Sequence, residues 1–214
     1  MYIDRRHLQC TYHQPAWCLS WKRLAQHGRR PGTRAALIRY RRATASTNAN
    51  RALQHFCCSQ EKLWEYLLED KLDLVVSDHS PCTPDLKTPD NLEAWGGISS
   101  VQFGLSLFWT AASSRKLGLP SISKYLSTGP ARLCGLQDRK GALKPGLDAD
   151  LVFFDPDATF TVAAESVRHK NKLTPYIGRE LRGVVKETYL RGRLIFANGE
   201  IAGCPRGELL LINF

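Results

Sequence analysis

The stretch Leu72–Pro84, LDLVVSDHSPCTP, decides how this chain reads. Its first half is a short run rich in apolar and β-branched residues, which predicts a buried strand, and Asp78 and His79 fall just past the strand's end. Upstream, Ser59 suits an N-cap, Glu61 complements the positive end of a helix, and Leu63, Trp64, Leu67 and Leu68 share one face. That pattern predicts a helix from Gln60 to Glu69. Helix, tight turn, strand, then polar loop is the rhythm of an α/β unit.

Downstream comes a loop marked by Pro81, Pro84, Pro89 and Gly96-Gly97. ISSVQFGLSLFWTAASSRKLG then predicts a helix capped by Ser99 or Ser100, with Val101, Leu105, Phe108 and Trp109 on its apolar face. SISKYLS continues as helix, and TGPARLCGL starts another, with Pro130 acceptable in the first turn and Gly135 near the end. The texture changes at Lys140. A Pro-Gly turn precedes a strand expected over Leu151–Asp155, and Asn198-Gly199 sits between β-prone residues as a type I′ hairpin signal.

The 214 residues suffice for one large domain or two modest ones. The net charge of +10 is not spread over them. Residues 1–58 hold 11 Lys and Arg against one acid, Asp4, whereas the remainder holds 19 of each sign. The basic character thus belongs to the N-terminal segment, and a boundary is expected near residue 58. That segment admits four readings: a transit peptide, a nucleic-acid-binding arm, a disordered tail, or a stretch foreign to the domain through splicing or a mistaken gene model. Its most basic stretch, RRPGTRAALIRYRR over 29–42, holds Tyr40 as its one aromatic residue and no nucleic-acid module appears, so nucleic acid is not the expected partner.

The seven cysteines are odd in number and lack C-x-x-C spacing, which points to free thiols in a reducing compartment. No signal-peptide core and no membrane-length apolar run is present. An intracellular, unsecreted chain with no membrane partner is expected, its compartment otherwise open.

In barrels of alternating strands and helices, site residues lie on loops at the C-terminal ends of strands, where Asp78 is expected. A carboxylate there can ligate Zn²⁺ and accept a proton from metal-bound water; equally, it can cap the turn that Ser80-Pro81 completes. His79 has the same two faces: a polar loop residue, or an imidazole that bonds a substrate.

Several segments together resemble one family. DLVVSDHSPCTPDLK, AWGGISSVQFGL, STGPARLCGL, KGALKPGLDADLVFFDP and HKNKLTPYIGRELRGVVKETYLRGRLIF, in this order, resemble the C-terminal part of an allantoinase. Allantoinases are cyclic amidohydrolases, alongside dihydroorotase and dihydropyrimidinase. S-D-H-x-P and K-G-x-L-x-x-G-x-D-A-D-L are shared across the superfamily, while WGGISSVQFGL and HKNKLTPYIGRELRG are narrower.

The resemblance implies an α/β fold: the C-terminal part of a (β/α)8 TIM-like barrel, about two βα units, plus strands of an adjoining small β-sandwich. The domains implied are an unmatched basic segment over 1–58, irregular, disordered or non-native, then barrel units over 59–139 and a β-rich part over 140–214. The family hydrolyses allantoin to allantoate in purine catabolism, using two metal ions, usually zinc. The resemblance implies that Asp78 is both a metal ligand and the group that passes a proton to the leaving nitrogen. It also implies that Gly96, Gly97 and Ile98 meet the substrate ring through their backbone, with His79 beside them.

The family's other ligands come earlier in sequence: an H-x-H pair, a carboxylated lysine and two further histidines. No H-x-H occurs here. A complete barrel takes about 250 residues, whereas only about 80 separate Ser59 from the β-rich tail. The expectation is a truncated chain, inactive alone. The alternatives are a non-catalytic fragment that modulates assembly of full-length subunits, homo-oligomers among them, or another cyclic amidohydrolase such as dihydropyrimidinase or dihydroorotase.

Overall fold

A computed structural model describes residues 35–37, 60–88, 94 and 97–210. In chain order the elements are β1 (Ala35–Leu37), α1 (60–68) and β2 (Leu74–Val76). Then come α2 (Gly104–Ser113), α3 (Leu119–Ser123) and α4 (Gly129–Leu133). Four strands close the chain: β3 (Leu151–Thr161), β4 (Glu180–Leu190), β5 (Arg193–Ala197) and β6 (Glu200–Ile201).

β1 and β2 pair in parallel, Ala35 opposite Leu74 and Leu37 opposite Val76, with α1 between them in sequence. This β-α-β arrangement contains the helix, turn and strand expected over Gln60–Ser77 and adds a strand that was not expected ahead of them. β1 falls inside the basic segment, where an irregular chain was expected. Its three residues are too few to leave a periodic signal among arginines. The rest of residues 1–58, including the Ser59-adjacent cysteines and the four N-terminal histidines, lies outside the described residues.

The core under β2 is built from α1 and the helices that follow it. Trp64, Leu67, Leu72, Val75, Phe108, Trp109, Ala112, Ile122 and Tyr125 form one buried cluster. Trp64 stacks on Phe108 with centroids 5.5 Å apart and planes within 7°, and Tyr125 meets Phe108 edge-on at 6.4 Å. Burying such rings is the main local driving force, about 1.5–3 kcal/mol for each large apolar side chain. Leu68 departs from the expected face and is 52% exposed. On a 3.6-residue period it follows Leu67 by about 100°, which rotates it out of the stripe that Trp64 and Leu67 share.

The helix expected from Ser99 or Ser100 begins later. Val101–Phe103 is a 3-10 turn, and Ser100 spends its hydroxyl on the Ser77 carbonyl at 2.7 Å rather than on a cap. Val101 is consequently exposed instead of packed. α3 and α4 are joined by a π turn, Lys124–Thr128, in which Gly129 N–H donates to the Lys124 carbonyl. Pro130 explains the widening: it has no N–H for the Leu126 carbonyl, and its ring would crowd that group in a regular helix.

The β-rich part is a four-stranded antiparallel sheet, ordered β3-β4-β5-β6. β3 runs six residues past the expected end at Asp155, to Thr161. Pro156 is tolerated because the register shifts between Asp155 and Thr159, so no ladder bond needs its missing N–H. The Asp155 carboxylate fills the gap by accepting from the N–H groups of Asp157 and Ala158, both at 3.1 Å. The predicted hairpin is present: Asn198 and Gly199 have φ of 51° and 84°, as a type I′ turn requires.

Candidate functional site

Asp78 lies two residues beyond β2, exposed, with a left-handed φ of 47°. Aspartate tolerates that region better than most residues, and the conformation turns the chain sharply at the strand's C-terminal end. Ser80 Oγ donates to the Asp78 carbonyl at 3.4 Å within this turn.

His79 is fixed more firmly. It forms a parallel bridge with Ile98, and Ser80 N–H donates to the Ile98 carbonyl at 2.8 Å. Its Nδ1 accepts from the backbone N–H of Ser100 at 3.0 Å and of Val101 at 3.3 Å. Two donors on Nδ1 require a lone pair there, so the neutral ring carries its proton on Nε2.

Of the three residues expected to meet a substrate ring, Gly96 lies outside the described residues. Gly97 is buried and its carbonyl accepts from Lys87 Nζ, while the Ile98 carbonyl is engaged by Ser80. The structure therefore brings His79, Gly97 and Ile98 together beside the turn that carries Asp78, with each carbonyl already serving one protein bond.

His169 was quoted in the HKNKLTPY motif but not read as part of a site. It is 4% exposed, and its ring meets that of His79 edge-on at 5.3 Å. Thr174, from the same motif, donates to the Ser99 carbonyl at 2.7 Å. No periodicity or spacing marks such residues, because they come from an irregular segment far along the chain.

Among the described residues no group of three or more His, Cys, Asp or Glu is placed to hold a metal ion. A two-zinc centre needs several protein ligands per ion, and the strand end supplies the Asp78 carboxylate with Nδ1 of the adjacent His79 facing backbone donors. The described residues by themselves do not fit such a centre. Nor is any helix among them long and apolar enough to cross a membrane.

Comparison with known proteins sets the class. Residues 111–196 match the amidohydrolase family. The fold is similar to that of D-hydantoinase (dihydropyrimidinase) from Thermus sp., with a TM-score of 0.62 and 29% identity over 67% of this chain and 32% of that one. L-hydantoinase from Arthrobacter aurescens gives the same TM-score at 30% identity, covering 66% of this chain and 32% of that one. The chain is thus similar to part of these TIM-barrel amidohydrolases, a family for which metal dependence is general.

Within that class it is allantoinase-like. An allantoinase from Streptomyces avermitilis is 43% identical over 178 residues, which is 80% of this chain and 40% of the relative. One from Salmonella newport is 38% identical over 155 residues, 72% of this chain and 34% of the relative. The chain thus spans about two fifths or less of the length of the curated relatives it matches. The Streptomyces match is longer than the stretch from Ser59 to the C-terminus, so the similarity enters the basic segment in which β1 lies.

Proposed function

We propose that this chain contributes the Asp78 end of an allantoinase-type site, at which water opens the ring amide of allantoin to give allantoate. The observation that carries the reading is the position of Asp78, just past the C-terminal end of a parallel strand, in a chain 43% identical to a protein named allantoinase. Identity is higher to these allantoinases than to these hydantoinases, 43% and 38% against 29% and 30%, which favours allantoin over a dihydropyrimidine substrate.

The chemistry assigned to this chain's own residues is modest. Water adds to the ring carbonyl, the C–N bond breaks, and one proton must travel from the attacking water to the departing nitrogen. Asp78 is the base that takes this proton and returns it, an exchange suited to an exposed carboxylate at the C-terminal end of a strand. His79, protonated on Nε2, offers a hydrogen bond to a substrate carbonyl. Zinc is the metal proposed for the assembled site, with Asp78 as one ligand and the others drawn from outside the described residues. The full chain alone is accordingly expected to form no allantoate above the uncatalysed rate.

The test is complementation. The Streptomyces avermitilis enzyme, truncated ahead of the part this chain matches, is mixed with the full chain and zinc, and allantoate is measured. Activity in the mixture, lost with Asp78→Ala while the two polypeptides still co-purify, is the expected result. An associated pair without activity, or an active Asp78→Ala pair, would overturn the reading. Association without turnover would instead favour the second role, a non-catalytic fragment that modulates subunit assembly, which the partial coverage of its relatives brings into view.

A further inference from the structure

The contact between His79 and His169 belongs to a larger arrangement. Residues 162–179 connect β3 to β4 and lie against the loop ahead of α2. Three hydrogen bonds fasten the two. Thr174 Oγ1 donates to the Ser99 carbonyl, Gln102 Nε2 donates to the Ser166 carbonyl, and Arg168 N–H donates to Gln102 Oε1, each at 2.7 Å. Beneath them Val162, Val167 and Tyr176 pack in one buried cluster with Phe103 and Leu181, and Ile98 rests against it.

These bonds bracket one short piece of backbone. Thr174 holds residue 99 and Gln102 holds residue 102, while the peptides between them, at Ser100 and Val101, donate to His79 Nδ1 at 3.0 and 3.3 Å. The Ser100 hydroxyl ties the same piece back to the Ser77 carbonyl, one residue from Asp78. The imidazole also meets the ring of His169 edge-on, with centroids 5.3 Å apart.

We propose that residues 162–179 form a positioning strap, in which Thr174 and Gln102 hold the Ser99–Val101 backbone against His79 while His169 packs on its ring, and so lock that ring as the Nε2–H tautomer. A free neutral imidazole exchanges its proton between both nitrogens; two fixed N–H donors on Nδ1 remove one of the two forms. The strap thereby makes His79 a permanent donor toward a carbonyl-bearing substrate and denies it the role of acceptor through Nδ1. Thr174, Gln102 and His169 are positioning residues that act through His79. The substrate clause rests on the proposed function, whereas the tautomer follows from geometry alone.

The test uses the full chain with ¹⁵N-labelled histidine, observed by long-range ¹H–¹⁵N correlation above the imidazole range of about pH 6.5. Wild type should show His79 as a single form with Nε2 protonated and Nδ1 bare. Thr174→Val, which keeps the shape and removes the donor, should give averaged tautomers, and Thr174→Ser should restore the single form. Gln102→Met, at an exposed position, should give the same averaging as Thr174→Val, so the reading survives should the latter unfold. The indole signals of Trp64 and Trp109 should stay unchanged and report an intact core. A mixed or Nδ1–H tautomer in wild type, or variants indistinguishable from it, would overturn the inference. Allantoin added to the same samples separates the two claims. A locked tautomer without ligand-induced shifts sinks the site reading alone, and shifts with a mixed tautomer sink the strap alone.

Discussion

Two glycines with nearly the same backbone angle offer a clean test of how the sheet is joined to the helices. Gly183 on β4 has φ of 92° and Gly146 in the turn before β3 has φ of 88°. A Cβ on Gly146 would meet nothing within 4 Å, whereas one on Gly183 would lie 2.2 Å from Phe154 Cζ and 2.7 Å from Trp109 Cδ1. Those two rings pack edge-on at 6.1 Å, and the Gly183 carbonyl accepts from the buried Ser106 hydroxyl at 2.7 Å, so neither side can withdraw freely. Alanine at either position carries the strain of a positive φ, of the order of 1–3 kcal/mol. Only at Gly183 is overpacking added, about another 1–3 kcal/mol. With a urea dependence of about 1–3 kcal/mol per molar, Gly183→Ala should unfold at a midpoint on the order of 1 M below Gly146→Ala. Tryptophan fluorescence across a urea series measures both, with Trp109 as a reporter at the altered contact. Equal midpoints would refute the reasoning, since they would mean that the joint between α2 and β4 yields without cost.

Two further predictions concern titratable groups. Burial, with the Asp70 carboxylate accepting its hydroxyl, raises Tyr125 to about 12, and the hydroxyl also donates to the Leu67 carbonyl at 2.6 Å. A raised folded value contributes stability below the unfolded value of about 10, and this is lost as pH climbs through 12. Tyr125→Phe should therefore cost about 1 kcal/mol near neutrality and flatten the alkaline limb between those values, as thermal melts across pH will show. Asp148 is the opposite case: burial works to raise its carboxyl, but Lys140 and Arg139 outweigh it and hold it below the ordinary range. A depressed value contributes stability above about pH 3.9 that disappears as pH falls through the folded value. Lys140→Met, which also takes the partner from the nearly buried Asp150, should lower the neutral-pH melting temperature and make the acid loss shallower. An unchanged acid limb in that variant would show that Arg139 alone holds Asp148.

Much of the fold was legible because its signals are local. The stripe of Trp64 and Leu67, the valines of β2, the buried face of Phe108 and Trp109, and the Asn198-Gly199 turn each read correctly from neighbouring residues. What failed was decided by groups distant in sequence. Ser100 looked like a cap but found the carbonyl of Ser77 across the loop, which pushed the start of α2 to Gly104. β3 outran its expected end because β4 and the Asp155 side chain supply the bonds around Pro156. The same limit applies to the site. Asp78 is visible as the residue after an apolar run, yet the partners of His79 come from residues 98–101 and 169, and no spacing rule connects them.

The placement of Asp78 is owed more to helices than to a sheet. A pair of three-residue parallel strands has no independent stability, and parallel strands normally need cover on their faces. β2 receives it from the cluster of Trp64, Phe108 and Tyr125 and from the π turn leading into α4. Gly129 makes that last contact close: a Cβ there would sit 2.3 Å from the Asp73 carbonyl and 3.0 Å from Leu74 Cβ. The widened turn and the glycine together let the α3–α4 stretch press onto the very start of β2, while Ser100 and the His79–Ile98 bridge tether its far end. The start of the strand is thus set within residues 60–133 and its far end by a loop that residues 162–179 fasten, so the turn at Asp78 is shaped by groups that this chain supplies. A chain spanning two fifths of the length of its relatives thus holds the turn of the proposed site with its own residues.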